Sequence, residues 1–581
     1  MKRLATTLTA IALMQASLSA HAAADLVLVN GRIFTAEQTQ PQVQAMAIQG
    51  GTILATGNNK EVLALADSNT EILDLAGKRV MPGLIDTHSH AIYGGLSLSS
   101  ASMKDTVVDL PELEQRLRQW RHDGSARLGP EILQVQGMNS EYWARVEELG
   151  QRFNHGEWAE TPLILMGSDH HTAWVNARMM QMAGIDQPLL ASLPEAERGT
   201  IGVLANGQPS GFLVDAGWDR VSAILPPIDT ATLMKGAQAA VRYYNSVGVT
   251  GWMDPAANAS PGQAVFDIKP TEHSTGVLPG YKALAEKGHL SAHVAALLVA
   301  NPKSRPADLE VLEKVRQQFA GVPNLTLPGV KIFADGVLEF PAQSAALIDP
   351  YNNSHKQGEL LIDPQHFGKL VTAVDQRGWL MHIHAVGDRA VRESLNGFEQ
   401  ARAAGNSDIA HSITHLQLVH PREFARFKKL NVIASMQLLW ATADEYAIDM
   451  VKPYVSAFAY HYQYPARSLL KAGATIAGAS DWPVSPANPW LAIAQASTRQ
   501  GNKGVLNASE TITRDVMFFA YTLNAAKTLR LDDRIGSLAE GKSADFAILD
   551  RDVFSVSEQA LSETQVLATY FAGRKVYQRQ Q

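Results

Sequence analysis

V-M-P-G-L-I-D-T-H-S-H, Val80–His90, is the stretch on which the reading of this chain turns. Pro82 and Gly83 punctuate its start, Leu84 and Ile85 supply a short apolar strand, and His88 and His90 follow two residues apart. Alternate side chains on an extended chain share a face, so both imidazoles can point the same way. Two neutral imidazoles converging on one point suit a borderline cation such as zinc. Histidines at a strand exit also serve as ordinary polar residues. The later strands decide between the two.

From Met81 to Arg530, apolar strand-like runs alternate with longer helix-like stretches. The runs include Leu163–Met166, Gly248–Asp254, Gly329–Phe333, Leu380–His384, Ser412–His415, Val432–Met436 and Ala474–Asp481. Helical stretches such as Pro364–Arg377, Val391–Ala404 and Pro421–Leu430 lie between them. This alternation predicts an α/β fold, a parallel sheet closed into a (β/α)8 TIM barrel. Functional residues of that fold gather at the C-terminal ends of its strands. Lys331, His384, His415 and Asp481 lie at or near such ends, as His88 and His90 do. Singly, each has an ordinary explanation: a helix cap for the aspartate after Ser480, a snorkelling stem for the lysine. Six in strand order predict a metal site. The chain has no cysteine, so any metal is held by nitrogen and oxygen, and no disulfide forms.

The two ends have a different texture. Residues 25–80 read as short strands and turns punctuated by Gly31, Gly50, Gly51 and Gly57, and residues 531–581 contain further strands. Termini often lie close together, so the two segments are expected to build one small β-sandwich beside the barrel of residues 81–530. Residues 1–22 read as a secretory signal: Lys2-Arg3, an apolar run, then Ala20-His21-Ala22. The expected address is the periplasm, or full secretion. The net charge of −7 gives no electrostatic case for nucleic acid or an anionic membrane as partner. A small-molecule substrate is the expected partner, with a homo-oligomer left open.

P-G-L-I-D-T-H-S-H, K-I-F-A-D-G, H-A-V-G-D-R-A, the histidine of I-T-H-L-Q and A-S-D-W-P-V together resemble the amidohydrolase superfamily. Within it the chain is similar to the amidohydrolase-3 branch, in the YtcJ-like group that includes N-substituted formamide deformylases. The resemblance implies a distorted barrel with a sandwich built from both termini. It also implies His88, His90, His384, His415 and Asp481 as metal ligands, and Lys331 as the fourth-strand lysine that binuclear relatives carboxylate. One or two divalent ions, zinc foremost, are the implied cofactor. Asp481 is the implied proton acceptor of a metal-assisted hydrolysis. Single-metal aminohydrolases of the superfamily place a glutamate three residues after the fifth-strand histidine; this chain has Gly387. Hydrolysis of a non-peptide carbon–nitrogen bond of amide type is therefore expected. The alternatives are another acyl bond (lactone, ester or dipeptide) or a non-catalytic exported regulator on the same scaffold.

The interval from His90 to Lys331 greatly exceeds the roughly 30 residues per βα unit that the barrel needs, so an inserted lid is expected there. Within it, S-D-H-H-T-A-W-V-N (Ser168–Asn176) suggests His171, Trp174 and Asn176 as substrate-facing residues. His382 shares a face with His384 and is expected to be either a hydrogen-bonding support behind the ligands or a core histidine. Asp388 and Arg389 are expected to pair with each other.

Overall fold

The computed structural model describes residues 23–580 apart from 130, 262, 264, 267 and 406–408. The signal predicted over 1–22 lies outside the described residues. Eight parallel strands form the central sheet: β1 (Leu84–Asp86), β2 (Val249–Asp254), β3 (His293–Val299), β4 (Leu325–Phe333), β5 (Leu380–Ala385), β6 (His411–His415), β7 (Val432–Met436) and β8 (Thr475–Gly478). Each pairs with its neighbours in sequence order, and every residue of β2, β3 and β5 to β7 is buried. Such continuous burial is what helices outside and packed side chains inside a barrel impose. The sheet closes where β8 meets β1. Thr87 N–H donates to Gly478 O (3.0 Å), Asp481 N–H to His88 O (2.8 Å) and His90 N–H to Trp482 O (2.9 Å). The seam therefore joins the first predicted ligands to the last.

Helices cover the outside. The helix after β1, Ala91–Ser97, lies against Thr230–Ser246, which leads into β2. A Cβ at Gly95 would stand 2.0 Å from Gly236 O, so this pair approaches as closely as backbones allow. Two flanking sheets lie beside the barrel, one built from the N-terminal segment alone and one from both termini. A four-stranded one holds Leu26–Val29, Ala45–Gln49, Thr52–Gly57 and Glu71–Asp74. A six-stranded one pairs Arg79–Pro82 with Phe546–Leu549 antiparallel and extends to Gln578. Leu28, Ile33, Met46, Val80, Phe546 and Tyr570 pack between them. Val80–His90 thus spans two units: its first residues finish a flanking strand, and Leu84–Asp86 begin the barrel.

The surplus between His90 and Lys331 falls largely between β1 and β2, as a six-stranded sheet from Arg127 to Val214. Leu163–Met166, expected among the alternating strands, belongs to this sheet and pairs with Ile132–Met138. An apolar run of four reads alike in either setting, since only its neighbours differ. The strand the sequence reading passed over is His293–Val299, which completes the eight. No helix among the described residues is long and apolar enough to cross a membrane.

Candidate metal centre

The predicted ligands meet beyond the C-terminal strand ends. His88 Nε2 and His90 Nε2 stand 3.4 and 3.3 Å from Asp481 Oδ1, and His415 Nδ1 stands 3.8 Å from Asp481 Oδ2. The rings of His384 and His415 lie 4.4 Å apart, and His88 and His415 5.0 Å. His384 Nε2–H donates to Gly336 O (3.0 Å), which leaves Nδ1 as its ligand atom. His88 and His90 sit just past β1, held in line by the bridge of Ser89 to Trp482.

These groups are mostly buried, yet Asp481 Oδ1, His415 Nδ1 and Lys331 Nζ have no hydrogen-bond partner. Orphaned polar atoms are rare in folded proteins, and three in one place call for a ligand. Metal bonds of about 2.0–2.1 Å in tetrahedral arrangement separate ligand atoms by about 3.3–3.4 Å, the spacing of the His88, His90 and Asp481 atoms. The donor set fits a divalent cation. Burial, reinforced by Lys331, holds His88, His384 and His415 well below the usual histidine range, so they are neutral donors. Burial also pushes the Lys331 ammonium down to about 7, against the pull of Asp481.

A second layer fixes the ligands. Asp86 accepts from His88 N–H (3.1 Å), Ser480 N–H (3.0 Å), Ser480 Oγ–H (2.5 Å) and Tyr244 O–H (3.0 Å), tying the two ends of the seam together. His88 Nδ1 lies 2.7 Å from His382 Nε2, and His382 Nδ1 lies 2.7 Å from Ser412 Oγ. With His88 Nε2 kept as a lone pair, Nδ1–H donates to His382, whose own Nδ1–H donates to Ser412. His415 stacks on Trp440, ring centroids 5.6 Å apart and 3° from parallel. His415 (φ 74°) and Asp481 (φ 58°) hold left-handed backbone that β-strand residues rarely adopt, strain of the kind that gathers at working sites.

Of the three residues proposed to face substrate, His171 lines the cavity and Trp174 and Asn176 do not. His171 Nδ1–H donates to Asp215 Oδ1 (2.8 Å), and Asp215 Oδ2 accepts from Ser344 Oγ (2.5 Å). Burial works against charge on His171, but Asp215, Asp169 and Asp481 together raise its pKa. The expectation for the other two is corrected. Trp174 packs in the inserted sheet's core and donates to Ser210 O. Asn176 caps the helix Ala177–Met182 and donates to the carbonyls of Phe153, Trp158 and Thr161. The Asp388–Arg389 pair does not form either: Asp388 accepts from Ile348 N–H (2.9 Å). At Gly387 a Cβ would stand 2.1 Å from Ala346 O, so no acidic side chain fits that position.

Two connected spaces open from the centre. The smaller, ≈ 140 Å³, is lined by His88, His90, His170 and Asp254 among others. The larger, ≈ 430 Å³, shares His171, His384, His415 and Asp481 with it and extends towards Trp440 and Glu339.

A parallel barrel with an imidazole and carboxylate cage at its C-terminal rim is the scaffold of a metal-dependent hydrolase. The amidohydrolase family model matches residues 71–577, and the chain belongs to that family. It is 29% identical to Protein LONG AFTER FAR-RED 3 of Arabidopsis thaliana, over 95% of this chain and 92% of that one. It is 25% identical to the N-substituted formamide deformylase of Arthrobacter pascens, over 96% and 98%. The crystal structure of an uncharacterized metal-dependent hydrolase from Pyrococcus horikoshii OT3 superposes with a TM-score of 0.69 at 24% identity, covering 92% of this chain and 99% of that one.

Proposed function

We propose that this protein hydrolyses a non-peptide carbon–nitrogen bond of amide type, with water activated at a divalent metal site held by His88, His90, His384, His415, Lys331 and Asp481. The observation that carries the reading is the gathering of buried, unpartnered donor atoms around Asp481. A divalent cation bound there, zinc for preference, supplies a Lewis acid that lets water ionise near neutral pH and polarises the scissile carbonyl. Asp481, which would hold the metal through Oδ1, takes the water proton on its other carboxylate oxygen and returns it to the leaving nitrogen. His171, oriented by Asp215, faces the substrate from the inserted sheet.

Lys331 in its neutral form attacks CO2 through Nζ, forms the N–C bond and releases a proton, giving an anionic oxygen ligand that a plain lysine is not. Burial already favours the neutral amine. Loss of one of two bound metals in Lys331→Ala supports this; unchanged stoichiometry opposes it. Export is the accompanying proposal, resting on residues 1–22. A mature protein beginning at Ala23 in a periplasmic or secreted fraction supports it, and an intact Met1 in the cytoplasm opposes it.

The test of the activity is chelation followed by zinc, manganese or cobalt add-back on a panel of N-substituted amides, lactones and dipeptides. Metal-restored turnover of amides supports the reading. Turnover of lactones or dipeptides alone shifts it to another acyl bond, and none at all favours a binding-only role.

A further inference from the structure

We propose that the substrate carries a cationic nitrogen, ammonium or guanidinium, on an apolar body, and that Glu339 and Asp105 in the larger chamber receive that charge. The inference rests on the hydrolytic reading above and names its substrate class.

The chamber belongs to the reaction centre, because Asp481 Oδ1 and His415 Nδ1 both line it. Each sits on a residue more than nine-tenths buried, and neither has a hydrogen-bond partner. At ≈ 430 Å³ it has the size of a small-molecule site. Its outer wall brings four carboxylates, Asp105, Asp169, Glu339 and Asp444, and no lysine or arginine among the described lining residues. The one lining imidazole outside the metal centre, His171, is already paired with Asp215.

Two of the four carboxylates are spent on the fold. Asp169 accepts from the His171 and Thr172 amides and the Thr172 hydroxyl, and Asp444 caps the turn at Ala447. Asp105 and Glu339 are different. Asp105 Oδ1 accepts from the hydroxyls of Ser168 and Tyr446, both at 2.8 Å, and the Asn139 amide is a further neutral donor to the carboxylate. Glu339 Oε1 accepts from the Gln417 amide at 2.9 Å. Neutral donors solvate a carboxylate without cancelling its charge, and burial raises the pKa of both. Glu339 is half-buried and Asp105 lies at the exposed mouth of the chamber, and a carboxylate drawn out of water is costly unless paired. An incoming cation is the partner that no described lining residue supplies, and Trp440 and Tyr446 add aromatic faces that favour it. The same charges disfavour a carboxylate at the outer wall, where no arginine or lysine among the described lining residues waits to receive one.

Calorimetric binding to metal-loaded protein tests this without turnover, using phenethylammonium and the neutral phenylethanol. The ammonium is expected to bind roughly ten- to a hundredfold more tightly than the alcohol, the worth of a charge-assisted hydrogen bond. Glu339→Gln and Asp105→Asn should each remove most of the ammonium's advantage, with melting temperatures showing that both variants fold. An alcohol that binds as well as the ammonium overturns the inference, as does a preference that survives both substitutions. Turnover of neutral amides alone also overturns it and leaves the hydrolase reading standing. A charge preference without turnover of any amide overturns the hydrolase reading instead.

Discussion

Replacing His382 with leucine should weaken metal binding without touching a ligand. The ring is fully buried and bridges His88 Nδ1 and Ser412 Oγ, each at 2.7 Å. Its loss leaves the His88 Nδ1–H without an acceptor in a place water does not reach. An outer partner of this kind is worth about ten- to a hundredfold in metal affinity, or ~1.4–2.8 kcal/mol. Full burial argues for the upper half of that range, because an unpaired buried donor itself costs ~1–3 kcal/mol. Competition against a chromogenic chelator reads the affinity directly. Ser412→Ala should show a smaller loss, and adding it to His382→Leu should change little more, since both remove one chain of hydrogen bonds. A folded His382→Leu protein that binds metal within about threefold of the wild type would refute this reasoning.

Three further outcomes follow from other parts of the structure. Asp481→Asn should keep the fold while kcat falls by at least about a hundredfold, the lower bound for a lost general base; near-wild-type kcat removes its proton-transfer role. Asn176→Ala breaks a helix cap and removes a buried donor shared by three carbonyls, of which Trp158 O keeps the Thr161 N–H, so denaturant unfolding should show a loss of about 2–3 kcal/mol. A large KM change with stability intact would return Asn176 to the substrate. His411 donates to Asp375 and accepts from Met381 N–H, and burial above all lowers its pKa from 6.5. The unfolded chain then binds more protons below 6.5, so the contribution is complete above that pH and fades as pH falls through the folded value. The stability gap between wild type and His411→Gln should narrow from pH 7 towards pH 5; a constant gap contradicts the assignment.

Much of this centre was legible in the sequence because its ligands obey two local rules. His88 and His90 are spaced for one face, and His384, His415 and Asp481 close or follow apolar runs. What supports them was harder to see. Asp86 lies in step with His88 and His90, a signal that could have marked it, but Tyr244 and Ser480, which fix it, come from distant elements. Trp174 and Asn176 misled because an aromatic in a core and an asparagine at a helix cap leave the same trace as substrate contacts. The chamber's carboxylates sit on separate loops after β4 and β7, ahead of the inserted sheet and within it, where no periodicity links them.

Anomalous diffraction from crystals of the metal-loaded protein puts the central claim to its most direct trial. The account predicts density within bonding distance of His88 Nε2, His90 Nε2 and Asp481 Oδ1. Metal found only elsewhere, or a protein that takes up none after chelation and add-back, contradicts it.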